Sequence, residues 1–176
     1  MKQLLISALL ASSSLMAADL PPVQSVANVD LARYVGQWHE IARFPMYFQN
    51  QCVGDVTANY SQMDNGKIKV INRCRTKDGE FDQAEGSASV VENTGNAQLK
   101  VSFFWPFRAD YWVIGLDPDY RWAVVGNPNR KYLWILSRTK TMTSSDLAAA
   151  KASAAAQGFP LQQLIQSETA AVQVNS

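Results

Sequence analysis

Eight short segments of the chain alternate apolar and polar residues or are rich in β-branched and aromatic residues. A period of two is typical of half-buried β-strands, and clusters of Asp, Asn, Gly and Pro between the segments indicate tight turns. The spacing predicts an antiparallel meander of eight strands that closes into a barrel or a sandwich. The segments span 38–44, 53–62, 67–75, 80–91, 98–104, 111–116, 122–126 and 132–138.

The pattern changes after residue 143, where alanines dominate. Ser144 or Ser145 can cap a helix at its start, and Gly158 stands where a left-handed residue commonly ends one. We therefore predict one C-terminal α-helix over 143–158, packed outside the strands. Residues 161–167 are predicted to add a short extended piece.

Strand alternation also predicts which side chains face the interior. If Trp38 points inward, so do Glu40, Ala42 and Phe44. The same rule places Leu99, Val101 and Phe103 on one apolar face, and Trp134, Leu136 and Arg138 on another. Eight strands enclose a lumen just wide enough for side chains or one small ligand.

Residues 1–18 are interpreted as a secretory signal peptide. Lys2 precedes an apolar run that is too short to span a bilayer, and Ala17 or Ala18 offers a small residue at the cleavage site. An uncleaved anchor is the alternative. The first cysteine is Cys52, so no lipid-bearing cysteine follows the leader. We expect an exported, periplasmic, soluble domain over 19–176 that can associate with a membrane.

Composition limits the partners and the redox state that can be expected for this chain. The chain is 47% hydrophobic and has a formal net charge of +1, so no basic face for a nucleic-acid partner is expected. Cys52 and Cys74 are the two cysteines, and in an oxidising compartment they are expected to form a disulfide, with free thiols as the alternative.

Three motifs resemble the conserved blocks of the lipocalin family: Gly36-Gln37-Trp38, Trp122-Ala123-Val124-Val125-Gly126 and Leu133-Trp134-Ile135-Leu136-Ser137-Arg138. Bacterial lipocalins and the apolipoprotein D group are the most similar branches. The resemblance implies an all-β, eight-stranded, up-and-down barrel of the lipocalin (calycin) type. It also implies that Arg138 lies across Trp38 at the base, with Gly36 beside them as part of the same structural signature.

The same resemblance suggests a ligand site. It places Tyr60, Phe103, Tyr111 and Trp134 on pocket-lining positions, with Asn72 as a polar group inside, and alternation adds Phe44. The expected function is binding, transport or storage of a fatty acid, lysophospholipid or similar small hydrophobic ligand, linked to the cell envelope. The alternative is an envelope structural or interaction protein in which these rings fill the barrel.

Two loops carry further aromatic residues, at 44–48 and 104–107. Exposed apolar loops suggest a ligand mouth, transient membrane contact or a homodimer, and the alternative is a lid folded over the barrel.

Catalysis is not expected. His39 is the single histidine and is predicted to be a surface residue, with no metal partners at ligand spacing and no nucleophile to activate. We therefore expect no metal and no cofactor. A lipid hydrolase is the least favoured functional hypothesis.

Overall fold

The computed structural model describes residues 20–168, which form one closed antiparallel β-barrel. The predicted signal peptide lies outside the described residues. Each strand pairs with the next, and β1 pairs with both β2 and β8 to close the barrel. The strands are β1 (Gly36–Arg43), β2 (Cys52–Gln62), β3 (Ile68–Thr76), β4 (Phe81–Val90), β5 (Gln98–Phe104), β6 (Phe107–Leu116), β7 (Trp122–Gly126) and β8 (Leu133–Ser137).

The predicted eight-stranded barrel is confirmed, and the sandwich alternative is wrong. Strand β6 starts at Phe107 rather than at the predicted position 111, because Phe104 and Phe107 pair across a tight hairpin. Turn residues at the tip interrupt the strand pattern, so the first positions of β6 were not predicted.

One irregularity in β1 decides what the strand buries. Glu40 pairs with Leu136 and Ala42 pairs with Ile135, so Ile41 is an extra residue. Such a β-bulge places two residues opposite one and reverses the alternation that follows. Trp38 and Glu40, before the bulge, therefore face the lumen, whereas Ala42 and Phe44, after it, face the outside of the barrel.

A short strand near the C-terminus, β9 (Ile165–Gln166), pairs with β1 at Ala42 and Arg43. Beyond this strand, Ser167 donates its backbone N–H to the carbonyl of Ile41 at 3.0 Å. Strand β1 pairs with β2 only at its first four residues, 36–39. The C-terminal segment therefore supplies hydrogen-bond partners where β1 and β2 have separated.

Within residues 20–168, two α-helices flank the barrel. Helix α1 (Leu31–Tyr34) is a single turn capped by Asp30, and α2 (Ser144–Ala156) lies against β6 and β7. The cap of α2 is Thr143, whose hydroxyl accepts from the N–H of Asp146 at 3.1 Å, rather than either predicted serine. Gly158 follows the helix with φ +76°, which agrees with the prediction that a left-handed residue ends it.

The apolar residues form two separate cores. One fills the lower barrel around Trp38, and the other lies between the barrel wall and α2. In the outer core, Ala150 and Ala154 are fully buried and let α2 approach the strands closely. Phe159, just past the helix, packs there against Phe44 with ring centroids 6.2 Å apart.

Candidate lipid-binding cavity

The closed end of the barrel is built around one indole. Trp38 is fully buried, and the Arg138 guanidinium carbon lies 3.8 Å from its ring centroid. Arg138 also donates to the carbonyls of Gln37 at 3.0 Å, Arg33 at 2.6 Å and Tyr34 at 3.1 Å. The indole Nε1 donates to the Tyr34 carbonyl at 2.8 Å. Every polar group of the pair therefore has a partner, as burial requires.

Gly36 belongs to this arrangement for two reasons. Its φ is +97°, a conformation that side chains rarely adopt. A Cβ atom at this position would also lie 3.3 Å from Nη1 of Arg138. The glycine therefore lets the chain enter β1 directly beneath the guanidinium.

Above the closed end, the barrel holds a cavity of about 600 Å³. This volume lies within the roughly 300–1,000 Å³ typical of small-molecule sites, and it argues against the alternative of a filled barrel. The walls of the cavity combine small and branched apolar residues with aromatic and polar ones. The small and branched apolar residues are Val56, Ala58, Val70, Ala84, Val101, Ala109, Val125 and Leu136.

Five of the six predicted ligand residues line this cavity: Tyr60, Asn72, Phe103, Tyr111 and Trp134. Tyr60 and Tyr111 lie at its floor, where they also border a much smaller space below. Phe103 is 43% exposed and lies towards the open end. The structure therefore brings together residues from β2, β3, β5, β6 and β8.

The expectation that Phe44 faces the lumen is wrong. Phe44 is 1% exposed and belongs to the outer core, with Phe159 and the alanine face of α2. The bulge at Ile41 is the cause, because it reverses which side chains of β1 point inward. Ala42, predicted to face inward, lies in the same outer core.

Three tyrosines are hydrogen-bonded at the cavity floor: Tyr60 and Tyr111 line the cavity, and Tyr34 lies beside the smaller space below them. The hydroxyls of Tyr34 and Tyr111 are 2.8 Å apart, and Tyr111 donates to Tyr60 at 3.0 Å. Burial raises the pKa of Tyr60 to about 12 and the pKa values of Tyr34 and Tyr111 further. The floor therefore stays neutral at physiological pH. Tyr34 was not predicted, because it lies on α1, where strand alternation gives no signal.

On β1, the carboxylate of Glu40 borders the cavity, and this residue is 4% exposed. It accepts from Gln49 at 2.7 Å and from the Ser167 hydroxyl, and it pairs with Arg43 at 3.2 Å. Burial raises the pKa of Glu40, and these partners oppose the shift. Gln49 also lies 3.5 Å from the Trp134 indole nitrogen, so this cluster connects the loop after β1 with the cavity wall.

The open end combines charged and aromatic side chains. Arg73, Asp82, Arg108 and Asp110 all border the cavity, and sequence reasoning missed them, since turn-proximal charges normally indicate solvent exposure alone. The exposed aromatic residues nearby are Tyr47, Phe48, Phe81, Phe104, Trp105 and Phe107. The loops therefore surround an entrance.

The predicted disulfide between Cys52 and Cys74 is confirmed, and it lies beside this entrance. It connects the beginning of β2 to β3 with a Cα–Cα distance of 5.5 Å.

His39 does not border the cavity. It is half-buried on the outer side of β1, with Nε2 lying 3.4 Å from the Gln37 amide nitrogen. Burial lowers its pKa. Within residues 20–168, no cluster of three or more His, Cys, Asp or Glu side chains could hold a metal ion.

Comparison with known proteins places this geometry in a family. The chain is 45% identical over 148 residues to outer membrane lipoprotein Blc of Citrobacter freundii, covering 82% of this chain and 83% of that protein. It is 41% identical over 132 residues to apolipoprotein D of Macaca fascicularis, covering 70% of this chain and 67% of that protein.

A solved structure shares the fold. Insecticyanin from the tobacco hornworm Manduca sexta superposes with a TM-score of 0.70 at 23% identity, over 86% of each chain. The sequence model of the lipocalin-like domain matches residues 29–169. The chain therefore belongs to the lipocalin family, whose barrels bind small hydrophobic ligands.

Proposed function

We propose that the barrel binds one amphiphilic lipid, such as a fatty acid or lysophospholipid, and transports or stores it at the cell envelope. The cavity of about 600 Å³ with apolar walls carries this proposal. Each methylene group buried there contributes about 0.8 kcal/mol, so an acyl chain gains enough to offset the cost of association. Charged residues at the open end are suited to a polar headgroup.

The proposed ligand contacts are Tyr60, Asn72, Phe103, Tyr111 and Trp134. They combine four aromatic rings with one amide around an apolar space, which is the usual make-up of a small-molecule site. An envelope location is supported by the name of the Blc relative and by the disulfide. Among residues 20–168, no helix has the length and apolar character needed to cross a membrane.

Binding without catalysis is part of the proposal. His39 lies on the outer side of the barrel and does not line the cavity. A His39→Ala variant is therefore expected to bind lipid with unchanged affinity.

Native mass spectrometry of protein purified without refolding tests the proposal, together with quenching of tryptophan fluorescence by fatty acids. A Trp134→Phe variant shows whether Trp134 is the tryptophan whose fluorescence the fatty acid quenches. Ala58→Phe, which fills part of the cavity, should weaken binding about tenfold, the equivalent of roughly two lost methylene contacts. Ala32→Phe on the exposed face of α1 is the matched control. Absence of both co-purified lipid and quenching would contradict the proposal.

A second proposal concerns the β5–β6 hairpin, where Phe104, Trp105 and Phe107 form an aromatic tip. Their exposed fractions are 75%, 81% and 71%. Such a patch on a monomer needs a partner. We infer that the aromatic tip contacts a membrane surface during ligand exchange, because aromatic rings favour the interface and the adjacent exposed Arg108 favours anionic lipid.

Flotation with phosphatidylglycerol vesicles, compared with phosphatidylcholine vesicles, tests this contact. Trp105→Ser with Phe107→Ser should reduce flotation, whereas Leu20→Ser, which removes an exposed apolar residue elsewhere, should not. If the double variant changes only the sedimentation mass, the aromatic tip serves a homodimer and the membrane proposal is wrong.

A further inference from the structure

The hydrogen bonds among the three tyrosines of the cavity floor leave one hydroxyl proton without an acceptor in the group. Each phenol carries a single proton. Tyr111 donates to Tyr60, so Tyr34 must donate the bond that it shares with Tyr111. The Tyr60 hydroxyl therefore accepts within the group, and its own proton has no protein acceptor among residues 20–168.

This donor is enclosed, since Tyr60 is 7% exposed and borders two spaces. The lower space measures about 10 Å³ and is lined mainly by apolar side chains such as Val29 and Ile68. This volume is at the lower limit for a single water, and the surface around it is almost wholly apolar, so the space does not favour a water. An acceptor for the Tyr60 proton must therefore come from the large cavity above.

The surroundings determine what kind of acceptor fits. Burial raises the pKa of all three tyrosines, which means that this floor disfavours charge. The arginines that border the cavity, Arg73 and Arg108, are exposed at the open end. A carboxylate at the floor would be buried with no cation from residues 20–168 lining the cavity beside it, which is costly, whereas a neutral hydroxyl, ketone or ester oxygen would accept the bond without a net charge.

We propose that the Tyr60 hydroxyl donates a hydrogen bond to the ligand at the cavity floor. The preferred ligand is then an elongated lipid with a neutral oxygen at its buried end. The proposal rests on the proposed lipid-binding function and specifies the chemistry of the ligand end that this function leaves open. It predicts that affinity depends on where the chain carries its oxygen, and that affinity is highest when the oxygen reaches the cavity floor.

Matched probes test this in the unaltered protein. Saturated fatty acids, their ω-hydroxy counterparts and their mid-chain hydroxy isomers of equal length are compared by displacement of a fluorescent fatty acid. At the chain length that reaches the floor, the ω-hydroxy acid should bind roughly fivefold more tightly than the mid-chain isomer, a ratio typical of one hydrogen bond. No preference for the ω position at any length would overturn the proposal.

Paired variants assign the donor. Tyr60→Phe alone would free the Tyr111 proton for the ligand, so Tyr60→Phe is combined with Tyr111→Phe. The matched control combines Tyr34→Phe with Tyr111→Phe, which also leaves one phenol but keeps Tyr60. The first pair should lose the ω-hydroxy preference and the second should keep it.

The preference is the ratio of two affinities measured on the same variant. A variant that folds less completely lowers both apparent affinities by the same factor, so the ratio does not change. Equal preference in both pairs would overturn the role of Tyr60. If the unaltered protein bound neither the plain nor the hydroxylated acids, the lipid-binding function itself would fail. That outcome is distinct from binding without selectivity.

Discussion

The two ends of the barrel each carry a tryptophan in opposite circumstances. Trp38 at the closed end is 0% exposed, covered by Arg138 and hydrogen-bonded to Tyr34. Trp105 at the open end is 81% exposed, at the tip of a hairpin. The closed end therefore contributes to the stability of the fold, and the open end leaves apolar surface exposed beside the entrance to the cavity.

The means of holding the strands together also differ. At the closed end, Arg33, Tyr34 and Gln37 offer their carbonyls to one guanidinium. At the open end, the disulfide between Cys52 and Cys74 joins strands whose pairing is irregular there, since β2 shifts register between Cys52 and Thr57. A covalent bond thus joins β2 and β3 beside the entrance, where their pairing is irregular.

The largest effect is expected for the two tryptophans. Trp38→Ala should lower the free energy of unfolding by about 3–5 kcal/mol, because it leaves a cavity and removes the contact of Arg138. Trp105→Ala should change it by less than about 0.5 kcal/mol. Urea denaturation followed by circular dichroism measures both.

The comparison would be contradicted if the two variants lost similar stability. That result would mean that Trp105 packs against the protein in solution. Trp122→Ala, which removes a buried tryptophan of the outer core, serves as a control for the general cost of truncating an indole.

Removal of the disulfide should have the next largest effect. Cys52→Ala with Cys74→Ala should lower the free energy of unfolding by roughly 3 kcal/mol, because the bridge closes a chain separation of 22 residues in the unfolded state. Denaturation in oxidising buffer measures the loss. Addition of reductant should bring the unaltered protein to the same stability and leave the variant unchanged; a response of the variant would contradict the prediction.

Much of this architecture could be predicted from the sequence. The period of two gave eight strands, and the three motifs placed Trp38 and Arg138 on one another. The prediction failed at Phe44, because a β-bulge at Ile41 changes register without leaving a glycine or proline as a signal. Alternation is a local rule, whereas the bulge is visible only in the pairing of β1 with β8.

The cavity floor and the open end were only partly predictable. Tyr60 and Tyr111 were found by resemblance, but Tyr34 approaches them from a helical turn. Gln49 reaches Glu40 from a loop. Such contacts depend on the path of the chain between regular elements, which the hydrophobic pattern does not specify.

Arg138→Lys should have a smaller effect at the closed end. Lysine keeps the charge but loses the planar fork that spans several carbonyls and lies on the indole. The expected loss is about 1–2 kcal/mol, measured by urea denaturation at low and high salt. Because contacts rather than long-range charge are removed, the loss should persist at high salt; a loss abolished by salt would indicate a purely electrostatic role.

The smallest expected effect is a difference in the sign of two pH dependences. At the closed end, Asp117 accepts from Arg121 at 2.8 and 2.9 Å, which lowers its pKa. In the cavity wall, burial raises the pKa of Glu40. Asp117→Asn and Glu40→Gln remove one titration each.

A lowered pKa means that the folded state binds the proton less well than the unfolded chain. The stabilisation by Asp117 is therefore complete above the unfolded pKa and is lost as the pH falls through the folded value. For Glu40 the raised pKa reverses the sign: its contribution is greatest below the unfolded pKa and is lost as the pH rises through the folded one.

The free energy of unfolding of each variant, subtracted from that of the unaltered protein across the acid range, isolates these contributions. The difference should rise with pH for Asp117→Asn and fall with pH for Glu40→Gln. Equal slopes would mean that Gln49, Ser167 and Arg43 hold the Glu40 carboxylate charged as firmly as Arg121 holds Asp117. Opposite slopes would show that the cavity wall, unlike the closed end, retains a carboxylate at a cost to stability, as expected of a surface adapted for binding.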